Sequence, residues 1–331
     1  METGLGKFAK MQPIFIMLAA IAGIALGQIS LLSDNAGWLI EPFLMALLFV
    51  VFLKIDLKDI GRSFKNVRFS AASIIINFVW TPLFAVILGY MFLGGLDMRI
   101  GFLMLLVTPC TDWYLVFTGM SKGNVSLSTS ILPTNLILQV LLLPVYLFMF
   151  LGTGSSFDMA SIMVSIVVVL VIPFAAANMI KYAAGNRRGK ELMGTIMEKH
   201  GDNTQLVFLC LAVLAMFTSQ GDVIVENPAV LLQMLIPLGI FFAVNFILAR
   251  MVGRMLGFGF DDTTSLTFTT LARNSPLALA IAVAAFPDSP LIALVLVIGP
   301  LIELPVLSLA SAVVLRMRAR TEEAGFSPIG R

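Results

Sequence analysis

The chain has 331 residues, of which 59% are hydrophobic and only 12% are charged. A soluble domain carries about a quarter charged residues, so this composition excludes an ordinary soluble protein and predicts a polytopic membrane protein. The net charge of +2 indicates no particular partner, and we expect membrane lipid but no nucleic acid around the chain. Cys110 and Cys210 both lie in apolar segments, and the single His200 lies in a basic loop. Neither a disulfide framework nor a metal site is expected.

Apolar runs long enough to cross a bilayer recur ten times along the chain. Runs of about 20 residues are typical of membrane helices, so an all-α fold with ten transmembrane helices is predicted. The first run follows two lysines and is similar to a signal peptide, but the symmetry described below requires it as a helix. The predicted spans are 13–31, 37–53, 69–93, 99–120, 125–151, 160–182, 204–219, 229–256, 263–285 and 290–315.

The placement of basic residues predicts the orientation of these spans. With the N-terminus in the cytoplasm, 19 of the 21 basic residues lie on the cytoplasmic side. Arg99 alone falls outside, and Arg273 alone falls within the membrane. Because cytoplasmic loops carry an excess of Lys and Arg, both termini are expected in the cytoplasm and the protein in the plasma membrane.

Prolines recur with one spacing in the two halves of the chain. Pro109 and Pro133 are 24 residues apart, and Pro276 and Pro300 repeat that spacing. Each pair lies in the last two spans of a five-span set. We therefore predict two five-helix repeats, 1–155 and 156–331, with the second inverted because the number of spans per half is odd.

Pro109 and Pro276 fall inside the fourth and ninth spans, where each is expected to break the helix. Broken helices persist in a bilayer only where the freed backbone faces protein or a water-filled cavity. In inverted-repeat carriers that place is the substrate site near the midplane. The two breaks are thus predicted to cross and to form a transport site.

Two ionisable residues flank these breaks. Asp112 is predicted near a helix N-terminus and Arg273 near a helix C-terminus, which suits the charge of each. A lone charge in hydrocarbon costs at least about 2.5 kcal/mol, so a buried Asp112–Arg273 pair is expected. Such a pair could serve the transport site or be a purely structural bridge.

Glu303 is a third ionisable residue at membrane depth, in the tenth span between Pro300 and Pro305. A buried carboxyl group near a guanidinium is a candidate proton carrier, and Asp112 is a second one. The alternative is that Glu303 only braces the helix between the two prolines.

Cys110 adjoins the first break, so its thiol could meet a soft solute, although a buried cysteine is often only a small hydrophobe. Asn135 and Gln139, one turn apart, give the fifth span a polar face together with Thr134 and neighbouring hydroxyls. Asn77 and Thr81 are similar in the third span. These side chains could line the cavity or bond across helices.

The segment from Gly299 to Leu307, GPLIELPVL, closely resembles the last-helix signature of arsenite permeases in the bile acid:sodium symporter superfamily. Pro109-Cys110-Thr111 is similar to their fourth-helix cysteine motif, and Asn135 and Gln139 to polar residues of their fifth helix. Asn274 and the apolar residues after it resemble the ninth helix. The resemblance implies ten helices in two inverted repeats with crossed, broken helices four and nine.

Cys110, Thr111, Asn135, Gln139 and Asn274 are expected to contact the substrate on this resemblance. Asp112 and Arg273 are expected to do so from their positions at the two breaks. Two departures stand out: Asp112 replaces small and apolar residues of the permeases, and Arg273 stands where the bile-acid branch has a sodium-binding Gln. A fixed guanidinium could stand in for a bound cation, which argues against sodium coupling.

We therefore expect a secondary transporter that exports arsenite or antimonite in exchange for protons. The alternative is a sodium- or proton-coupled carrier of an organic anion, with Arg273 binding its carboxylate or sulfonate. No nucleophile motif, metal cluster or phosphate loop indicates an enzyme or a cofactor. Paired charges suit one occluded site better than a channel.

Overall fold

The computed structural model describes residues 4–54, 66–111, 113–151, 159–184, 187–226 and 229–323. These residues are almost entirely helical, and no β-strand occurs among them. This result confirms the all-α prediction. Asp112 and the predicted boundary between the repeats at residues 155 and 156 lie outside the described residues.

Thirteen α-helices and one π-helical stretch cover the described ranges. The third predicted span begins two residues after the start of α3, which continues through the π-helical stretch into α4, whereas α1 begins nine residues before the first predicted span. The helices are α1 Gly4–Gly27, α2 Ser30–Lys54, α3 Val67–Ile75, the π-helical stretch Ile76–Trp80, α4 Thr81–Phe92, α5 Leu96–Val107, α6 Trp113–Met120, α7 Val125–Leu151, α8 Met159–Ala183, α9 Arg187–Glu226, α10 Ala229–Met255, α11 Phe260–Leu271, α12 Ser275–Ala285 and α13 Pro290–Glu323.

Two predicted spans are each divided into two half-helices. The fourth span consists of α5 and α6, and the ninth consists of α11 and α12. The fifth and tenth spans remain single helices, although Pro133 lies inside α7 and Pro300 inside α13. The breaks therefore fall at the first proline of each predicted pair and not at the second.

Five stretches in the described part of the chain are long and apolar enough to cross a membrane: Ser30–Leu53, Val67–Phe92, Val125–Phe150, Leu232–Met255 and Pro290–Thr321. Three shorter apolar helices accompany them, at Ile14–Gly27, Asn203–Ser219 and Ser275–Ala285. The protein is thus an integral membrane protein. The full count of ten spans, their inverted arrangement and the cytoplasmic termini remain predictions.

The chain forms two compact units. The first comprises residues 1–56, 151–230 and 276–297, in which α1 and α2 pack against α9. Glycine permits this close approach, because a Cβ added to Gly23 would lie 2.7 Å from both the Leu214 carbonyl oxygen and the Phe217 Cβ.

The second unit comprises residues 57–150, 231–275 and 298–331. Its α11 is rich in hydroxyl side chains, yet every residue from Thr263 to Leu271 is buried. The hydroxyls of Thr267, Thr269 and Thr270 donate to backbone carbonyls one turn earlier, at 2.7 to 2.9 Å. Because the helix satisfies these groups itself, it can lie in an apolar core. All of the predicted site residues that the structure describes, except Pro276, belong to this unit.

Candidate functional site

The structure brings the two helix interruptions side by side. Between α5 and α6 the backbone is non-helical at Thr108–Thr111, and between α11 and α12 it is non-helical at Ala272–Asn274. The Cys110 N–H donates to the Ala272 carbonyl at 3.0 Å, and the Asn274 N–H donates to the Thr108 carbonyl at 2.7 Å. These bonds make a short antiparallel pairing of Pro109 with Arg273.

Local sequence explains why the helices stop here. Pro109 lacks a backbone N–H, and the residue before a proline is disfavoured in the α region. Thr108 accordingly has φ −106° and ψ 93°, while Ala272 has φ −73° and ψ 141°. Pro276 is the second residue of α12, a position in the first turn where proline is tolerated. The pairing then satisfies backbone groups that neither interruption can satisfy alone.

Arg273 is 1% exposed, and its guanidinium donates to protein oxygens on three sides. The Nη1 group donates to the Leu106 carbonyl at 2.8 Å, and the Nε group donates to the Leu271 carbonyl at 3.1 Å. The Nη2 group donates to the Thr270 carbonyl and, at 3.0 Å, to the Asn77 side-chain oxygen. Four of the five guanidinium N–H groups therefore have protein acceptors.

The acceptors of Arg273 come from two helix ends. Leu106 lies in the last turn of α5, and Thr270 and Leu271 lie in the last turn of α11. Carbonyl groups at a helix C-terminus are unpaired within the helix and carry partial negative charge. The Phe241 ring, with its centroid 5.2 Å from the guanidinium carbon, adds a cation–π contact. Arg273 thus joins and neutralises both ends, while the predicted pairing with Asp112 falls outside the described residues.

Glu303, in the middle of α13, is 3% exposed and lies against the same interruption. Its Oε1 accepts the backbone N–H of Arg273 at 2.8 Å. The carboxyl group is therefore held at the residue that carries the buried guanidinium. This contact, which is made to the backbone of Arg273, places Glu303 of the predicted tenth span at the site.

Cys110 is 3% exposed, and its sulfur faces the start of α6. The backbone N–H of Trp113, the first residue of α6, donates to the Cys110 Sγ at 3.2 Å. The partial positive charge of a helix N-terminus complements negative charge on a sulfur. Thr111 and Asn274 are also buried beside the paired backbones.

The predicted polar face of α7 lies in the same compact unit. Asn135 and Gln139 are fully buried and Thr134 is 7% exposed. Among the described residues, no hydrogen-bond partner is found for either polar atom of the two carboxamide groups or for the Thr134 hydroxyl. Both interpretations of this face, lining the cavity and bonding across helices, stay predictions.

Two asparagines on other helices support the arrangement. Asn77 lies in the π-helical stretch, where its Nδ2 donates to the Thr269 carbonyl at 3.2 Å while its oxygen accepts from Arg273. Asn245 on α10, which the sequence reasoning missed, accepts from the Trp80 indole at 2.9 Å and donates to the Thr270 carbonyl at 3.3 Å. The sequence signal that could have identified Asn245 is an amide side chain within the apolar eighth span.

Comparison with known proteins gives consistent results. The profile of the Sodium Bile acid symporter family matches residues 37–227. The arsenical-resistance protein Acr3 of Corynebacterium glutamicum is 26% identical over 89% of this chain and 85% of its own length. Acr3 of Alkaliphilus metalliredigens is 22% identical over 92% and 91%, respectively. An uncharacterized transporter of Synechocystis sp. is 23% identical over 92% and 87%.

Proposed function

Since the chain belongs to the sodium bile acid symporter family and is a membrane transporter, we propose that it exports arsenite or antimonite in exchange for protons. It acts as a carrier rather than an enzyme, in the plasma membrane with both termini in the cytoplasm. Its similarity to two arsenical-resistance proteins along most of the chain supports this choice of cargo.

The observation that carries the proposal is a buried thiol at the paired interruptions. Trivalent arsenic and antimony are thiophilic, and a thiol replaces one hydroxyl group of the metalloid acid. The sulfur–arsenic bond forms as the thiol proton and the departing hydroxyl leave together as water, and hydrolysis reverses the step. The Trp113 N–H donates to the Cys110 sulfur and so holds the thiol group at the break between α5 and α6.

Glu303 is the proposed proton carrier. It is a buried carboxyl group held at 2.8 Å by the backbone amide of Arg273, so its protonation changes the charge of the site directly. Asp112 remains a second candidate from the sequence. Proton exchange is favoured over sodium coupling because the guanidinium of Arg273 already lies between the helix ends where a coupling cation would be held.

Transport of an organic anion remains the competing function. In that alternative Arg273 would bind the carboxylate or sulfonate of the substrate. Its guanidinium, however, already donates to Leu106, Thr270, Leu271 and Asn77. Since four of its five N–H groups have acceptors among the described residues, a bidentate contact with a substrate anion would require breaking bonds to the helix ends. This engagement favours the metalloid.

The test uses cells that lack their own arsenite exporter. Expression of the wild-type protein is expected to confer arsenite resistance, and everted membrane vesicles should accumulate arsenite when energised. Cys110→Ser should abolish both, whereas the matched Cys210→Ser variant should retain both. Resistance that persists in Cys110→Ser would remove the thiol from the mechanism, and energised accumulation of organic anions alone would favour the competing function.

A further inference from the structure

Arg250, near the end of α10, is a buried arginine whose guanidinium lacks acceptors. It is 7% exposed, and among the described residues no hydrogen-bond partner is found for its Nε and Nη1 atoms. Burial of a charged group is costly unless the group is paired and hydrogen-bonded. The guanidinium packs instead on the Phe260 ring, whose centroid lies 4.9 Å from the guanidinium carbon. This cation–π contact offsets part of the cost but does not satisfy the N–H groups.

Two other arginines of the same unit show how the protein pairs a guanidinium that it withdraws from water. Four N–H groups of Arg273 donate to carbonyl and amide oxygens. The Nη1 group of Arg318 donates to an Asp261 carboxylate oxygen at 2.7 Å and to the Lys122 carbonyl at 2.9 Å. Arg250 has no such acceptor in the described part of the chain, so it differs from both.

A role in capping α10 does not explain Arg250, because the end of this helix is capped by its own backbone. The Phe258 N–H donates to the Gly253 carbonyl at 2.9 Å, and the Gly257 N–H donates to the Arg254 carbonyl at 3.1 Å. This pattern is a Schellman motif, and Gly257 supplies the positive φ of 71° that the motif requires. These carbonyl groups therefore do not need the guanidinium as a donor.

The carboxylates nearest in the chain are engaged with other partners. Asp261 and Asp262 lie in the first turn of α11. Asp261 accepts from Arg318 at 2.7 Å, and Asp262 accepts from the Asn124 side-chain nitrogen at 2.9 Å. Neither forms a salt bridge with Arg250 among the described residues. The positive charge of Arg250 is therefore left without an anionic partner there.

Two further positive features lie beside this guanidinium. Arg254 is exposed and lies one turn after Arg250, and like charges at this spacing destabilise a helix. Phe260 is the first residue of α11, whose N-cap residue Gly259 provides no side-chain cap. The free N–H groups of a helix N-terminus carry partial positive charge. An anion at this turn would therefore stabilise both helix ends.

We propose that Arg250 and Arg254 bind one phosphate group at the turn between α10 and α11. Guanidinium groups bind phosphate oxygens through pairs of charge-assisted hydrogen bonds, and phosphate offers the acceptors that Arg250 lacks. The anion enters at the exposed Arg254 and is held by the guanidinium of Arg250, which the Phe260 ring keeps in place. This site does not depend on the cargo of the transporter.

A phospholipid headgroup and a soluble phosphate compound both carry such a group, and the surface beside the site favours the lipid. Ile247, Met251 and Met255 are exposed apolar side chains on the same helix. The distribution of basic residues predicts that this end of α10 is cytoplasmic, and the anionic lipids of the cytoplasmic leaflet attract arginines. An acidic phospholipid would place its phosphate at Arg250 and its acyl chains along α10.

The test measures the melting temperature of the purified full-length protein in neutral detergent. Titration with phosphatidylglycerol should raise it more than titration with phosphatidylcholine. Arg250→Met should weaken the apparent affinity for phosphatidylglycerol by about tenfold, because charge-assisted hydrogen bonds are lost. Arg68→Met is the matched control, since Arg68 is an exposed arginine of α3 on the side predicted to be cytoplasmic. It should keep the affinity of wild type.

Arg254→Met is a second variant that leaves the buried guanidinium in place, and it should weaken the same affinity severalfold. Stabilisation by inorganic phosphate that is lost in Arg250→Met, with phosphatidylglycerol no better than phosphatidylcholine, would support the site and assign it to a soluble ligand. Equal affinity of wild type, Arg250→Met and Arg254→Met for both ligands would overturn the site. An equal loss in Arg68→Met would also overturn it, because binding would then follow the overall charge of the protein.

Discussion

Arg273 offers the sharpest test of how the paired interruptions are held together. Replacing it with methionine keeps an apolar side chain of similar length but removes the charge and all five N–H donors. The Leu106 and Leu271 carbonyls and the Asn77 side-chain oxygen then lose this donor, whereas the Thr270 carbonyl keeps the Asn245 side chain as a donor at 3.3 Å. The two carbonyls belong to the ends of α5 and α11, which Arg273 joins.

The size of the effect follows from those three acceptors. A buried acceptor left without its partner costs about 1–3 kcal/mol, which gives roughly 3–9 kcal/mol for three of them. Whole proteins are stable by only about 5–15 kcal/mol, so Arg273→Met is expected to unfold or to lose most of its stability. Arg273→Lys keeps the charge and three donors and should lose distinctly less.

The assay is thermal unfolding of the purified protein in detergent, and its readouts are the melting temperature and the monodispersity of the sample. The expected order of melting temperatures is wild type, then Arg273→Lys, then Arg273→Met. Guanidinium or methylguanidinium at low millimolar concentration should partly restore Arg273→Met, because the carbonyl oxygens remain in place to accept it. A methionine variant that melts with wild type, or a lysine variant no better than methionine, would refute the view that a cation joins these helix ends.

Two further predictions concern other parts of the molecule. Glu303→Gln keeps an oxygen that accepts the Arg273 N–H, so the variant should fold, but it cannot release a proton. Everted vesicles that contain this variant should lose the accumulation of arsenite that a pH gradient drives. Unchanged accumulation would exclude Glu303 as the proton carrier. Gly23→Ala should destabilise the protein by about 1–3 kcal/mol, because the new Cβ meets Leu214 and Phe217 at 2.7 Å. The control Gly239→Ala, with nothing within 4 Å, should leave the melting temperature the same or slightly higher.

The sequence identified the residues of the site better than it identified the groups that those residues contact. The runs of apolar residues locate six of the ten predicted spans to within three residues, because length and composition are fixed by the bilayer, whereas α1, α2, α9 and α13 extend seven or more residues beyond their apolar runs. Prolines located both interruptions, but Pro133 and Pro300 occur in the same pattern and lie inside unbroken helices. A proline only weakens a helix locally. At Pro109 the freed backbone groups bond to the backbone of the other interrupted span. That outcome depends on tertiary structure.

The contacts of Arg273 illustrate what could not be predicted. The sequence suggested an acidic partner, since a buried charge needs compensation. The described structure compensates it with carbonyl groups at helix ends and with Asn77, which is 196 residues away in the chain. Carbonyl groups carry no sequence signature, because every residue has one. Only the relative placement of α5, α11 and the π-helical stretch reveals this solution.

The four half-helices divide the chemistry of the site by charge. The C-terminal ends of α5 and α11 meet at Arg273, while the N-terminal end of α6 is directed at the sulfur of Cys110. The guanidinium of Arg273 donates to carbonyl groups at both helix ends, so the partial negative charge of those ends balances its positive charge. Under the proposed exchange the thiol proton of Cys110 leaves as part of a water molecule, so binding of the metalloid acid itself does not change the charge of the site. On that proposal, and among the described residues of the site, the charge changes only when Glu303 takes up or releases its proton. An anionic cargo would add its own charge to that balance, while the guanidinium of Arg273 is already engaged by the helix ends.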